Sequence, residues 1–200
     1  MRKLSLFSLV ALLLFGGGIV QAQVVLNEVQ YQGTDQIELK NTGSTMVNVS
    51  SWWLCARFAY TQLSNASLTI NGNLMMMPGD IVTITGFGLN DNSSDLGIYS
   101  TNSFGSATAM QDFMQYGAGG IGRENVAVSK GIWTAGDFVP GVSMGNSVEY
   151  DGSGNGSSNW AAQSSPTFGM NNANANCDGG VVTTAAGDTV YYCPGASGGP

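Results

Sequence analysis

The chain has 200 residues, no histidine and a net charge of −7, with six Lys and Arg against thirteen Asp and Glu. A chain so poor in cations argues against nucleic acid, whose binding rests on Lys and Arg neutralising phosphates, and against anionic lipid surfaces. The missing imidazole removes the side chain that most often performs acid–base catalysis near neutral pH, and the commonest ligand of zinc, copper and non-haem iron.

The first 22 residues have the order of a secretory signal peptide: basic Met1-Arg2-Lys3, an apolar run from Leu4 to Leu14, then Gly16-Gly17-Gly18 and the small-residue pattern Val20-Gln21-Ala22, with a cut expected after Ala22. A retained membrane anchor would need about 18 or more apolar residues, and the glycines interrupt this run well short of that. No cysteine stands at the cut, which argues against a lipoprotein. The mature chain keeps Lys40, Arg57, Arg123 and Lys130 as its basic residues, for a net charge of −9.

From there the periodicity is that of strands. Gln36-Ile37-Glu38-Leu39-Lys40 alternates, which puts Ile37 and Leu39 on one face. Val47 and Val49 repeat the pattern, and continued parity predicts Trp53 and Cys55 inward, with Trp52 and Leu54 on the other face. Further strands are expected at Leu68-Thr69-Ile70, Ile81-Val82-Thr83-Ile84-Thr85, Gly97-Ile98-Tyr99 and Ser147-Val148-Glu149-Tyr150. Turn chemistry separates them at Asn41-Thr42-Gly43, Asn71-Gly72, Pro78-Gly79-Asp80, Asp91-Asn92 and Asp151-Gly152. Ala107 to Phe113 is the one stretch with any helical spacing, enough for one or two turns. Many short strands with turn signals about every 8–12 residues predict an all-β sandwich or barrel.

Composition shifts after Trp160. Residues 173–200 read as a linker and the start of a second small β module, with a hairpin of Val181-Val182-Thr183-Thr184 and Thr189-Val190-Tyr191-Tyr192. A hairpin is too small to be a domain, so the chain is expected to be a fragment of a longer protein. Cys177 and Cys193 flank the hairpin and are expected to pair. A loop of about 15 residues gains on the order of 3 kcal/mol from such a bridge in the chain-entropy model. Cys55 is left as a buried thiol.

The order of segments from Val24 onward resembles the bacterial, secreted form of the lamin-tail domain family. The matching pieces are Val24-Val25-Leu26-Asn27-Glu28-Val29, Asp35-Gln36-Ile37-Glu38-Leu39-Lys40-Asn41-Thr42-Gly43, Val47-Asn48-Val49-Ser50-Ser51-Trp52-Trp53-Leu54 and Pro78-Gly79-Asp80-Ile81-Val82. Gln115-Tyr116-Gly117, Trp160 and Pro166-Thr167-Phe168-Gly169-Met170-Asn171-Asn172 complete the order. Ser51 departs from the family's usual glycine. The resemblance implies an immunoglobulin-like β-sandwich over residues 23–172 that serves as an interaction module on exported proteins. It brings no catalytic residues. The stretch from Asp91 to Asp137 exceeds the minimal domain and is a candidate for function, since binding residues favour loops.

Several constellations carry a sharper chemical reading beside a plain one. Glu28 and Glu38 form a conceivable glycosidase pair, but read more simply as exposed or backbone-bonding strand carboxylates. Asp151-Gly152-Ser153-Gly154-Asn155-Gly156 has the rhythm of a calcium loop but Ala162 where the twelfth-position Glu belongs. Asn90-Asp91-Asn92-Ser93-Ser94-Asp95 is the next oxygen cluster, and its calcium binding stays open. Gly117-Ala118-Gly119-Gly120-Ile121-Gly122 lacks the Lys and helix of a phosphate loop. Leu74-Met75-Met76-Met77 reads as strand and core filler rather than a copper-binding cluster. Trp52, Trp53, Trp133 and Trp160 read as core, although an exposed one could stack on sugar. The sequence thus predicts a secreted or cell-surface, non-catalytic binding or structural module without cofactor or metal. Its expected partner is an unknown protein or surface polymer, with no nucleic acid and no membrane after signal removal. The alternatives are a carbohydrate-binding module, or an accessory domain of an exported hydrolase or nuclease.

Overall fold

The computed structural model describes residues 23–173 and the antiparallel pair Val181–Thr183 and Thr189–Tyr191. Cys177 and Cys193, and so their pairing, lie outside the described residues, as does the segment 1–22. The main body is all β apart from one short helix and a single 3-10 turn at Ser157–Asn159.

Its strands are β1 (Val24–Gln30), β2 (Gln36–Asn41), β3 (Val47–Asn48), β4 (Trp53–Ala56), β5 (Ala59–Gln62), β6 (Thr69–Asn71), β7 (Met75–Met76), β8 (Ile81–Thr85), β9 (Ser94–Tyr99), β10 (Met110–Tyr116), β11 (Ser147–Tyr150) and β12 (Trp160–Gln163). Six form a first sheet in the order β12-β11-β1-β2-β8-β6, and four a second in the order β10-β9-β4-β5. β3 and β7 make a separate ribbon.

The two sheets pack face to face. In the first, Val29 lies opposite Ile37 and Ile37 opposite Ile84, all buried and on one face. In the second, Leu54 pairs with Ile98, and Leu96 with Met114. That face meets the first sheet, because Tyr116 stacks on Tyr31 at 3.7 Å and Asp112 accepts the Leu26 N–H at 2.8 Å. A bulge at Asn27 breaks the β1–β2 register beside Leu26, and the carboxylate takes the amide there. Burial lifts the Asp112 pKa to about 6.

The outer face of the second sheet is covered too. Phe104 packs edge-on to Trp53 and Tyr99 and stacks on Tyr60 at 3.9 Å, and Trp133 stands edge-on to Phe113. The helix α1 (Glu124–Lys130) buries Val126 and Ala127. It carries Glu124 in its first turn and Lys130 in its last, matching the helix dipole, and stops at Gly131, whose φ of 80° is a left-handed cap. The stretch from Asp91 to Asp137 thus supplies β9 and β10, half of the second sheet, as well as the apolar layer on its outer face and loops.

Two expectations are corrected. Ala107 to Phe113 forms no helix; its second half is β10, because pairing with β9 outweighs a weak helical spacing. Trp53 is half-buried and on the outer face, whereas Leu54 is fully buried between the sheets. The parity from Val47 fails because the chain turns at Ser50-Ser51 between β3 and β4, so alternation restarts.

Candidate functional site

The two carboxylates singled out in the sequence do come together, joined by a third. Glu28 lies opposite both Glu38 and Glu149, so three acids cross three adjacent strands on the outer face of the first sheet. All three are fully buried. The cover is a strap of residues 166–172. Thr167 donates its N–H to Glu28 at 3.0 Å, Gly169 its N–H to Glu38 at 2.6 Å, and Asn172 bonds to Asn27 and to the Tyr150 carbonyl. Lys40 donates to Asn171 at 2.9 Å. Burial raises the Glu28 pKa and lifts Glu38 to about 7 against the bonds from Gly169 and Asn27, while Lys40 is lowered.

The Thr167 hydroxyl reaches Glu149 at 2.5 Å and Glu28 at 3.1 Å. Its single hydrogen serves two carboxylates, and with the Thr167 N–H on Glu28 it ties the strap to two strands at once. The row therefore works as a clamp on the strap. The carboxylates bond backbone, as the plain reading held, but they are buried rather than exposed, and neither faces solvent in this conformation. The sequence offered Glu28 and Glu38; Glu149 was visible only as part of a strand.

The other oxygen clusters are engaged internally. Both Asp95 oxygens accept backbone amides, from Arg57 and Arg123, at 2.8 Å each. Asn90 caps its own turn by accepting from Asn92 and Ser93. Asp151 accepts the Ser153 N–H and hydroxyl. Among the described residues no group of three or more His, Cys, Asp or Glu is arranged to hold a metal ion. The glycine loop cradles a carboxylate of its own chain: Glu124 Oε1 accepts from Gly120, Gly136 and Gln115. Trp133 and Trp160 are buried, and they line, with Asp112 and Tyr150, a cleft of about 10 Å³, the room of one water and too little for a sugar ring. Cys55 is a buried free thiol whose pKa burial and Asp95 push up to about 12.

What sequence reasoning missed is the tip of the β4–β5 hairpin. Ala56 pairs with Ala59, leaving Arg57-Phe58 as a two-residue turn. Both have left-handed backbones, φ 46° and 65°. Such turns usually take Asn-Gly, and a left-handed conformation costs ordinary residues roughly 1–2 kcal/mol each. The turn is held by Asp95 on the Arg57 N–H and by the Arg57 guanidinium on the Ser93 carbonyl at 3.0 Å. Arg123 lies over the Phe58 ring at 4.9 Å and donates to the Tyr60 hydroxyl at 2.6 Å. Gly122 makes this possible: with φ 54°, a Cβ there would come within 2.2 Å of Asp95. Phe58 is nonetheless 56 % exposed. Tyr99 Oη and Arg123 Nε, at the base of the same cluster, are the two buried side-chain polar atoms without a partner among the described residues. Without Gly or Asn, Arg57-Phe58 carries no turn signature, and its clamp residues lie 38 and 66 positions or so away along the chain.

The fold and these sites define an all-β protein of packed sheets. Comparison with family models, curated proteins and solved structures finds no match to this chain. Among the described residues no helix is long and apolar enough to cross a membrane.

Proposed function

We propose that the chain is an exported, non-catalytic binding module of the lamin-tail, immunoglobulin-like type, and that it docks on an acidic surface polymer through the Arg57–Phe58–Arg123 tip. The observation that carries this reading is the tip itself. A large aromatic stays exposed on a strained turn, and two of the four cations of the mature chain flank it. Strain that persists in an exposed turn points to use rather than stability. An exposed ring with the Arg123 guanidinium over it suits a carboxylated sugar, whose C–H face packs on the ring while its carboxylate pairs with arginine. Local charge decides at this range, because distant charges are screened beyond about 8 Å at physiological salt, and the one carboxylate in the tip, Asp95, is already bonded through both oxygens to the Arg57 and Arg123 amides.

The test is affinity electrophoresis of the full mature chain in gels with polygalacturonate or its methyl ester. Retardation is expected in the acid form and not in the ester. Phe58→Gly should lose the retardation while its melting temperature stays equal or rises, since glycine accepts the left-handed backbone. Migration unaffected by the acid polymer, or equal retardation of the variant, would overturn the reading.

A further inference from the structure

Among the described residues, five of the eight exposed large apolar side chains are methionines, and three of them lie close together in sequence and register. The ribbon pairs Val47 with Met76 and Asn48 with Met75, and the Val49 N–H continues the same register by donating to the Leu74 carbonyl. Carried one step beyond the paired residues, the same register would set Met46 opposite Met77. Alternation sends Met76 inward, where it is fully buried, and Met75 and Met77 outward. Exposure agrees: Met46 is 49 %, Met75 47 % and Met77 54 % exposed. Of the run Leu74 to Met77, Leu74 and Met76 are the core filler that the sequence suggested.

The backbone beneath the three is fixed. Asn41 is buried, and its side-chain amide donates to the Thr45 and Met76 carbonyls at 2.9 Å each, tying the two arms together next to Met46 and Met77. Asp80 Oδ2 accepts the Met77 N–H at 2.7 Å, and the Gly79 N–H reaches the Asn41 carbonyl at 2.8 Å. Opposed residues in such a ribbon have Cβ atoms about 5 Å apart and diagonal ones about 7–8 Å. Methionine carries its sulfur on a flexible stem that adapts to its surroundings, so three sulfurs at this spacing can converge above the ribbon.

We propose that Met46, Met75 and Met77 form a binding site for a soft monovalent metal ion, Cu(I) or Ag(I), held by three thioether sulfurs. Thioethers select such ions, whereas calcium, magnesium and manganese want oxygen. Two of the nearby side-chain oxygens are engaged by backbone, since Asn48 Oδ1 accepts the Ser50 N–H at 3.0 Å and Asp80 Oδ2 the Met77 N–H at 2.7 Å. Neutral thioethers need not lose protons, so the site would work without the histidine this chain lacks. The site is separate from the Phe58 tip and stands or falls independently of it.

The chain supplies its own controls. Met144 and Met170 are the most exposed methionines among the described residues, at 77 % and 61 %, and lie on other segments. The experiment is a titration of the full mature chain with silver nitrate, with methionine methyls carbon-13 labelled and accessible thiols first blocked by N-ethylmaleimide. The expected result is that the methyl signals of Met46, Met75 and Met77 move together and saturate at one equivalent, before Met144 and Met170 respond. Met75→Leu, an exposed swap of similar volume, should abolish the saturable response at Met46 and Met77 without changing the melting temperature. Cu(I) kept reduced with ascorbate should reproduce the pattern. Simultaneous movement of all five exposed methionines, no movement, or a response that survives Met75→Leu would each overturn the proposal.

Discussion

Leu54→Ala is expected to cost about 3–5 kcal/mol, in the upper range of leucine truncations in cores. Leu54 is fully buried, pairs with Ile98 and faces the first sheet, so the packed β-strands around it cannot readily collapse into the space left behind. Trp53→Ala should cost less despite removing a larger side chain. Trp53 is half-buried on the outer face and its ring contact is edge-on to Phe104, so its removal opens no enclosed space between the sheets. Urea unfolding of both variants checks the order. A Trp53→Ala protein less stable than Leu54→Ala would mean that β4 presents its other face to the core.

Stability is expected to fall as pH rises through the acid-to-neutral range, with Glu38 the main cause above pH 6. Its folded pKa of about 7 lies above the ordinary value of 4.5, because burial outweighs the bonds from Gly169 and Asn27. Between those values the folded state holds more protons than the unfolded one, so rising pH favours unfolding. The stabilisation is complete below about pH 4.5 and lost above about pH 7, a swing of about 3 kcal/mol. Asp112, raised to about 6, acts in the same sense at lower pH, and Glu28 is raised as well. Glu38→Gln cannot ionise. Its stability relative to the parent should therefore improve by about 3 kcal/mol between pH 4.5 and pH 8. Paired chemical denaturation series across that range would read it directly, and a difference between the two proteins independent of pH would show that Glu38 keeps an ordinary pKa. The strap should loosen first at high pH, with hydrogen exchange at Thr167 and Gly169 rising before that of β1.

Much of the fold was legible because it is local. Ile37 and Leu39, Val82 and Ile84, and the Ser147–Tyr150 strand were visible from alternation and turn residues, since a half-buried strand repeats every two residues whatever it packs against. The separate status of Cys55 as a buried thiol was legible for the same reason of size and setting, although the parity used to place it did not carry across the turn at Ser50-Ser51.

The tertiary structure alone decided which strand face is covered, and by what. Alternation distinguishes two faces but does not say which meets the other sheet, and the choice between Trp53 and Leu54 turned on that. It also completed the carboxylate row, because Glu149 joins Glu28 and Glu38 only through a strand pairing across more than a hundred residues. The left-handed Arg57-Phe58 turn and the outward Met46, Met75 and Met77 belong to the same class. Sequence by itself determined an acidic all-β chain without histidine; long-range pairing decided where its few cations, its buried acids and its exposed thioethers meet, because burial and strain depend on neighbours distant in the chain.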